Sequence, residues 1–122
     1  MAYNKGDLVL PINRVKKKDW LKGLYHPAVI WEDKVREGSD FLGVMITHTE
    51  PSKRFDNILM EKGHFENGHE VEFSNSHFVN QLFVKFQSWG EFEKVGRLTT
   101  DGIAFIRSNL TNTEPTTFDK YK

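Results

Sequence analysis

The sequence predicts a mainly β domain: a small antiparallel barrel of about five or six short strands, with one helix near the C-terminal end. Three observations predict it. The longest apolar run, residues 41–49, is rich in β-branched residues and free of proline, so it reads as a buried central strand. Other short apolar stretches follow at close spacing, separated by turns that carry Gly, Pro and Asn. The one clear helical periodicity comes late, after Thr99.

In chain order, Gly6-Asp7 opens a first strand at 8–10, and Pro11 closes it. Residues 13–25 read as a loop holding Arg14, Lys16, Lys17, Lys18 and Lys22 against a single acid, Asp19, with Trp20 and Tyr25 interleaved. Basic residues neutralise phosphates and aromatic rings stack on unpaired bases. A solvated loop pinned to the core by Trp20 and Leu21 has the same composition. The second strand is 26–31. Pro27 sits at its start, where a missing N–H is tolerated, so His26 stands at the strand mouth. A charged hairpin loop with Gly38 spans 32–40. The central strand follows, turns polar at Thr47, His48 and Thr49, and breaks at Glu50-Pro51-Ser52. A buried strand that ends in a hydroxyl and an imidazole is a rigid mount for chemistry, although ordinary strand ends are polar too. The loop 50–56 carries Lys53 and Arg54, and 58–60 is a short strand.

Residues 61–75 are turn-rich and alternate weakly at Val71 and Phe73. His64 and His69 lie there with Glu66 and Glu70, but their spacing matches no zinc template and a turn-rich loop is a poor frame, so no metal is expected. Residues 78–86 form a strong strand. Phe78, Asn80, Leu82, Val84 and Phe86 share one face, and Val79, Gln81, Phe83 and Lys85 the other, so cover is expected on both. Residues 89–94 read as a turn and 95–98 as a short strand or lead-in. Thr99 suits a helix N-cap, Asp101 favours the positive helix end, and Leu98 with Ile103 has staple spacing. Ile103, Ile106 and Leu110 then share a helix face directed at the core. The polar stretch 111–122, with Pro115, reads as a fraying tail, so the single domain is expected over 1–110.

Composition bounds the function. A chain of 122 residues makes one domain with one core. Lys plus Arg is 17 and Asp plus Glu is 17, so no global field pulls toward nucleic acid, and any such binding comes from local clusters. The absence of Cys excludes disulfides, a thiolate nucleophile and Cys-based metal sites, and fits a reducing cytoplasm. The opening residues carry no apolar segment, so no signal peptide is expected. No run approaches the ~18 apolar residues of a membrane span, and no membrane partner is expected. No Gly-rich phosphate loop, nucleophile elbow, zinc helix or internal repeat is present, and no cofactor is expected.

Several motifs occur in a familiar order: Gly6-Asp7-Leu8-Val9, His26-Pro27-Ala28-Val29-Ile30, Gly43-Val44-Met45-Ile46-Thr47, Ser76 with Asn80-Gln81, and Lys94-Val95-Gly96-Arg97-Leu98-Thr99 before a helix. In this, residues 6–110 resemble the MazF/PemK/Kid toxins. The resemblance implies an SH3-like barrel with a C-terminal helix, a metal-independent endoribonuclease acting on single-stranded RNA, a homodimer, and a cognate antitoxin protein. The family's Arg-Pro motif, whose Arg stabilises the scissile phosphate, reads His26-Pro27 here. The family's strand-three Thr looks like Thr47. Its Asp-Gln pair reads Asn80-Gln81, and the Arg beside that pair has no counterpart, because Phe78 and Phe83 flank it.

Such cleavage needs a base for the 2′-hydroxyl, an acid for the 5′-oxygen and donors for the phosphorane charge. A His of unperturbed pKa ~6.5 serves either proton role near neutral pH. The expected catalytic residues are therefore His26 and Thr47. His48 joins them as a second proton carrier if the strand bends, since a regular strand sends it to the opposite face. The expected RNA-binding residues are Lys16, Lys17, Lys18, Trp20, Lys53, Arg54, Asn80 and Gln81. The other reading is a noncatalytic SH3-like module that binds nucleic acid or a protein partner. The apolar faces of 78–86 and of the helix exceed what one small barrel buries, which argues for a homodimer.

Overall fold

A computed structural model describes residues 2–11, 27–33, 35–36, 40–47, 56–66, 76–85 and 92–116. The strands are β1 (Ala2–Tyr3), β2 (Asp7–Pro11), β3 (Ala28–Ile30), β4 (Val35–Arg36), β5 (Phe41–Thr47), β6 (Asn57–Leu59), β7 (His77–Lys85) and β8 (Phe92–Arg97). A 3-10 turn covers Lys62–His64, and α1 covers Thr100–Asn109. β1 and β4 pair as a small ribbon; the other six strands form one antiparallel sheet in the order β6-β7-β5-β3-β2-β8.

The mainly β class with one C-terminal helix is as expected, but the sheet is not closed into a barrel. β6 and β8 are its two edges. The chain leaves β6 after three residues, passes through the 3-10 turn, and meets the end of β8 at a single Phe65–Leu98 bridge, beside which the Glu66 N–H donates to the Arg97 carbonyl at 2.9 Å. Closure needs a strand long enough to run along β8, and the turn diverts the chain before that.

Period-two alternation gives the sheet two apolar faces. Leu8, Val29, Val44, Ile46, Phe78 and Leu82 join Met60, Phe65, Leu98, Ile106 and Leu110 in one cluster, on the side of α1. Val9, Ala28, Ile30, Phe41, Met45 and Phe83 make a second cluster on the opposite face. Val9 and Ile30 are fully buried there, so both faces of the sheet are covered, as the apolar strand 78–86 leads one to expect.

The helix is set by its N-terminal end. Thr99 is the N-cap: its Oγ1 accepts from the Gly102 N–H at 3.1 Å and donates to the Gly63 carbonyl at 2.9 Å. The Thr99 N–H donates to the His64 carbonyl at 3.0 Å. His64 in turn accepts from the Glu61 N–H at Nδ1, 2.9 Å, and its ring stacks on Phe105 with centroids 4.4 Å apart. Phe105 meets Phe78 edge to face at 6.0 Å. One side-chain row thus ties the turn, the helix and β7 together.

Beside it, the start of β2 and the end of β8 are held together by a buried carboxylate. Gly6, at φ +97°, reverses the chain into β2, and its carbonyl accepts from the Leu98 N–H at 2.8 Å. Asp7, only 3% exposed, bonds the Arg97 guanidinium at 2.6 Å through Oδ1 and accepts from the Asn4 N–H at 2.9 Å through Oδ2. A buried charge of this kind is stable only when paired and hydrogen-bonded.

Two local readings change. The expected turn at 89–94 gives way from Phe92 onward to β8, where Phe92, Glu93 and Lys94 pair with Pro11, Leu10 and Val9. Pairing with β2 overrides a weak local preference. The polar stretch after the helix does not fray at its start: Thr116 bridges Phe83 in parallel, the Leu82 N–H donates to the Asn112 carbonyl at 3.0 Å, and Thr116 and β7 exchange two further backbone bonds. The remainder, 117–122, lies outside the described residues.

A Cβ on Gly102 would stand 2.2 Å from the His64 carbonyl oxygen, whereas one on Gly63 would meet nothing within 4 Å. Gly102→Ala should therefore push the helix off the turn and cost about 1–3 kcal/mol, while Gly63→Ala stays near neutral. Thermal melts of the two variants check this. Equal melting temperatures would refute the close packing.

Candidate active site

Thr47 closes β5 and is 7% exposed. Its cross-strand partner is His77, the first residue of β7, also 7% exposed. His77 pairs on its other side with Leu59 of β6. Directly paired residues of an antiparallel sheet share a face. Thr47, His77 and Leu59 therefore form a row across three strands. Alternation from Ile46 and Phe78 places that row on the face away from α1.

The row exists because of a bulge. Between the Val44–Leu82 and Ile46–Phe78 pairs, β5 has Met45 alone while β7 has Val79, Asn80 and Gln81. The extra residues shift the register, so that Thr47 meets His77 and not Val79. The sequence reading finds Thr47 but misses His77, because nothing in the local pattern marks the bulge. A polar Ser-His pair at the head of a strongly apolar strand is the one signal that points there.

His77 is chemically unsettled. Its Nδ1 is buried and has no hydrogen-bond partner, and the same is true of Oγ of the adjoining Ser76, which is fully buried. An unmade hydrogen bond at a buried polar atom costs about 1–3 kcal/mol, so such atoms usually mark a water or ligand position.

Close to Thr47, the Ile46 N–H donates to the Pro27 carbonyl at 2.9 Å. This continues the β3–β5 pairing of Ala28 with Met45. His26, which precedes Pro27 in the sequence, lies outside the described residues, as do His48, Lys16, Lys17, Lys18, Trp20, Lys53 and Arg54.

Asn80 and Gln81, expected on the RNA surface, are engaged within the fold. Asn80 is 5% exposed and sits at the centre of the bulge. Its Nδ2 donates to Asp56 Oδ2 and to Thr111 Oγ1, both at 2.8 Å, and its Oδ1 accepts from the Thr111 N–H at 2.8 Å. Its main chain is also bound, the N–H by the Asp56 carbonyl at 2.9 Å and the carbonyl by Asn112 Nδ2 at 2.7 Å. Gln81 Nε2 donates to the Glu114 carbonyl at 2.7 Å. The pair fastens residues 111–116 along the outer edge of β7.

Among the described residues, no group of three or more His, Asp or Glu side chains could hold a metal ion, and no helix is long and apolar enough to cross a membrane. Comparison of the chain with protein-family models, with curated proteins and with solved structures finds no match.

Asn80→Ala removes the side chain that joins β7, Asp56 and Thr111. We expect a loss of about 1–3 kcal/mol, since each net hydrogen bond contributes ~1 kcal/mol. Amide exchange at Leu82 and Val84 should quicken as residues 111–116 detach. Exchange rates equal to wild type would mean that the backbone bonds hold the segment alone.

Proposed function

We propose that the protein is a toxin-like, metal-independent endoribonuclease of the MazF/PemK/Kid kind, built on an SH3-like framework and cutting single-stranded RNA in the cytoplasm under the control of an antitoxin protein. The observation that carries this reading is the bond between Pro27 and Ile46. That bond fixes the proline of the motif beside the strand end that carries Thr47; His26 itself lies outside the described residues. The order of the motifs supports the reading as well: Asp7, Ala28, Thr47, His77 and Arg97 all belong to strands of one antiparallel sheet, and Thr99 caps the helix that follows.

In this mechanism Thr47 positions the scissile phosphate through its hydroxyl, and His26 moves a proton to or from the reacting oxygens. The permanent charge that the family places before its proline is supplied from the loops by Lys16, Lys17, Lys18, Lys53 and Arg54. The products are a 2′,3′-cyclic phosphate and a 5′-hydroxyl. Phe78, Leu82, Phe83 and Ile106 are buried within the chain, so the homodimer stays in the proposal on the resemblance alone; light scattering should give twice the chain mass at micromolar concentration, and a monomer would count against it.

A second reading, a noncatalytic binding module, is favoured by the engagement of Asn80 and Gln81 inside the fold and by the burial of Thr47. One experiment separates the two: pure protein is incubated with a long single-stranded RNA in excess chelator, and fragment ends are analysed. We expect cyclic-phosphate ends, intact DNA, and a rate lowered ~10²–10⁴-fold in His26→Ala, the usual cost of losing a proton-transfer group. A requirement for divalent metal or cleavage of DNA would defeat the mechanism. Binding without cleavage would leave the module reading in its place.

Changing Lys16, Lys17 and Lys18 together to Glu should abolish RNA binding, with a nearly unchanged melting temperature. Binding by these cations must also weaken steeply with salt. Affinity that survives the triple change, or that ignores salt, would remove this loop from the interface.

A further inference from the structure

We propose that His77 is the second proton carrier of this reaction, an inference that rests on the nuclease reading above. The sequence offers His48 for that role only if the strand bends, and His48 lies outside the described residues. His77 has a described position beside Thr47. It is the direct cross-strand partner of Thr47, on the same face, one strand over. Side chains so paired have Cβ atoms roughly 4.5–5.5 Å apart, and an imidazole spans that gap to a phosphate held by the Thr47 hydroxyl.

Two further observations mark His77 as more than a core residue. Its Nδ1 has no hydrogen-bond partner although it is buried, which a purely structural histidine would normally have satisfied. Its other neighbour in the row, Leu59, is 56% exposed and is the one large exposed hydrophobic among the described residues. The row therefore runs from a buried hydroxyl through an imidazole to an open apolar ledge, an arrangement that fits a nucleotide's phosphate at one end and its base at the other. The groups facing His77 from the adjoining strands are Thr47 on β5 and Leu59 on β6, neither of them titratable. The carboxylate of Asp56, just before β6, is engaged by Asn80. No charged group among the described partners in this row competes with a substrate for the ring.

The chemistry then divides between two imidazoles, His77 and the His26 of the nuclease reading. One takes the 2′-hydroxyl proton as O2′ bonds to phosphorus. The P–O5′ bond breaks, and the other imidazole, protonated, gives its proton to O5′. Atoms and charges balance without any further reactant.

The test is the pH–rate profile of single-stranded RNA cleavage by wild type, His77→Asn and His77→Gln, with folding followed by thermal melts. Asn and Gln keep a hydrogen-bonding group but cannot carry a proton. We expect kcat to fall ~10²-fold or more with KM within a few-fold, and one limb of the profile to vanish. A folded His77→Asn variant as active as an active wild type, with both limbs present, overturns the inference while leaving the nuclease reading intact. A wild type that cuts no RNA overturns both. Should the variants fail to fold, the wild-type ring resonances decide: titration with a fully 2′-O-methylated RNA, which cannot be cut, should move the His77 signals well beyond those of His64 on the helix side. Unmoved His77 signals overturn the inference.

Discussion

Opposite Met45, β7 carries three residues where β5 carries one, and much of the molecule's remaining geometry follows from that mismatch. A bulge of this size leaves main-chain groups without ladder partners. Here they are taken up from the other side. The Asn80 N–H goes to the Asp56 carbonyl, and the Asn80 carbonyl accepts from Asn112. The outer edge of β7 is consequently divided. Its first half pairs with β6, and beyond the bulge its second half receives residues 111–116. A single buried amide is the joint between them, and every polar atom of its side chain is occupied. That is the condition under which a buried polar network fixes a structure without weakening it.

The sheet has two edges to protect. On the β7 side, β6 is short and the segment after the helix covers what β6 leaves open. Short edges and covering segments are the usual defences against unwanted strand pairing. On the far side, β8 is drawn inward by Arg97, which bridges buried Asp7 and Glu66. The chain between β6 and the helix ties the two ends to each other. Phe65 bridges Leu98, and Gly102 lies against the His64 carbonyl. An open sheet is thus held in curvature by contacts outside its ladders, which explains how strand spacing that reads as a closed barrel folds without closing.

What the sequence discloses depends on how local the determining interaction is. The helix is read nearly to its ends, because Thr99, Ile106 and Leu110 act within a few residues of one another. β5 and β7 are read as strands because their apolar content is decisive on its own. Barrel closure is misread, since it turns on where the chain goes after β6. The segment 111–116 is misread because exposed polar side chains look the same whether the backbone beneath them bonds to water or to β7. Within the site, Thr47 is legible as the polar end of an apolar strand. His77 is not, because a uniform register would give Thr47 a valine for a partner. Asn80 and Gln81 enter the expected RNA surface through the resemblance alone, and sequence does not disclose that their amides also bond residues 111–114.

In the proposed nuclease His26 stands where the resembled family carries an arginine, and that difference has a physical consequence for the reaction. A guanidinium is charged at every physiological pH, so it stabilises phosphorane charge without moving a proton. An imidazole does either one or the other at a given moment. A site that loses the permanent cation must find its charge elsewhere, and the chain is neutral overall, with 17 basic and 17 acidic residues. Under the proposal that charge comes from the clustered cations of the sequence, Lys16 to Lys18 with Lys53 and Arg54, and a potential of that kind is weakened by salt. The proposed enzyme therefore exchanges a fixed electrostatic contribution for proton transfer. That exchange works only if two transfers are available, one for the attacking oxygen and one for the leaving oxygen. A single imidazole would complete half of the proposed reaction, which is why the register shift that pairs His77 with Thr47 bears on the proposed chemistry as well as on the fold.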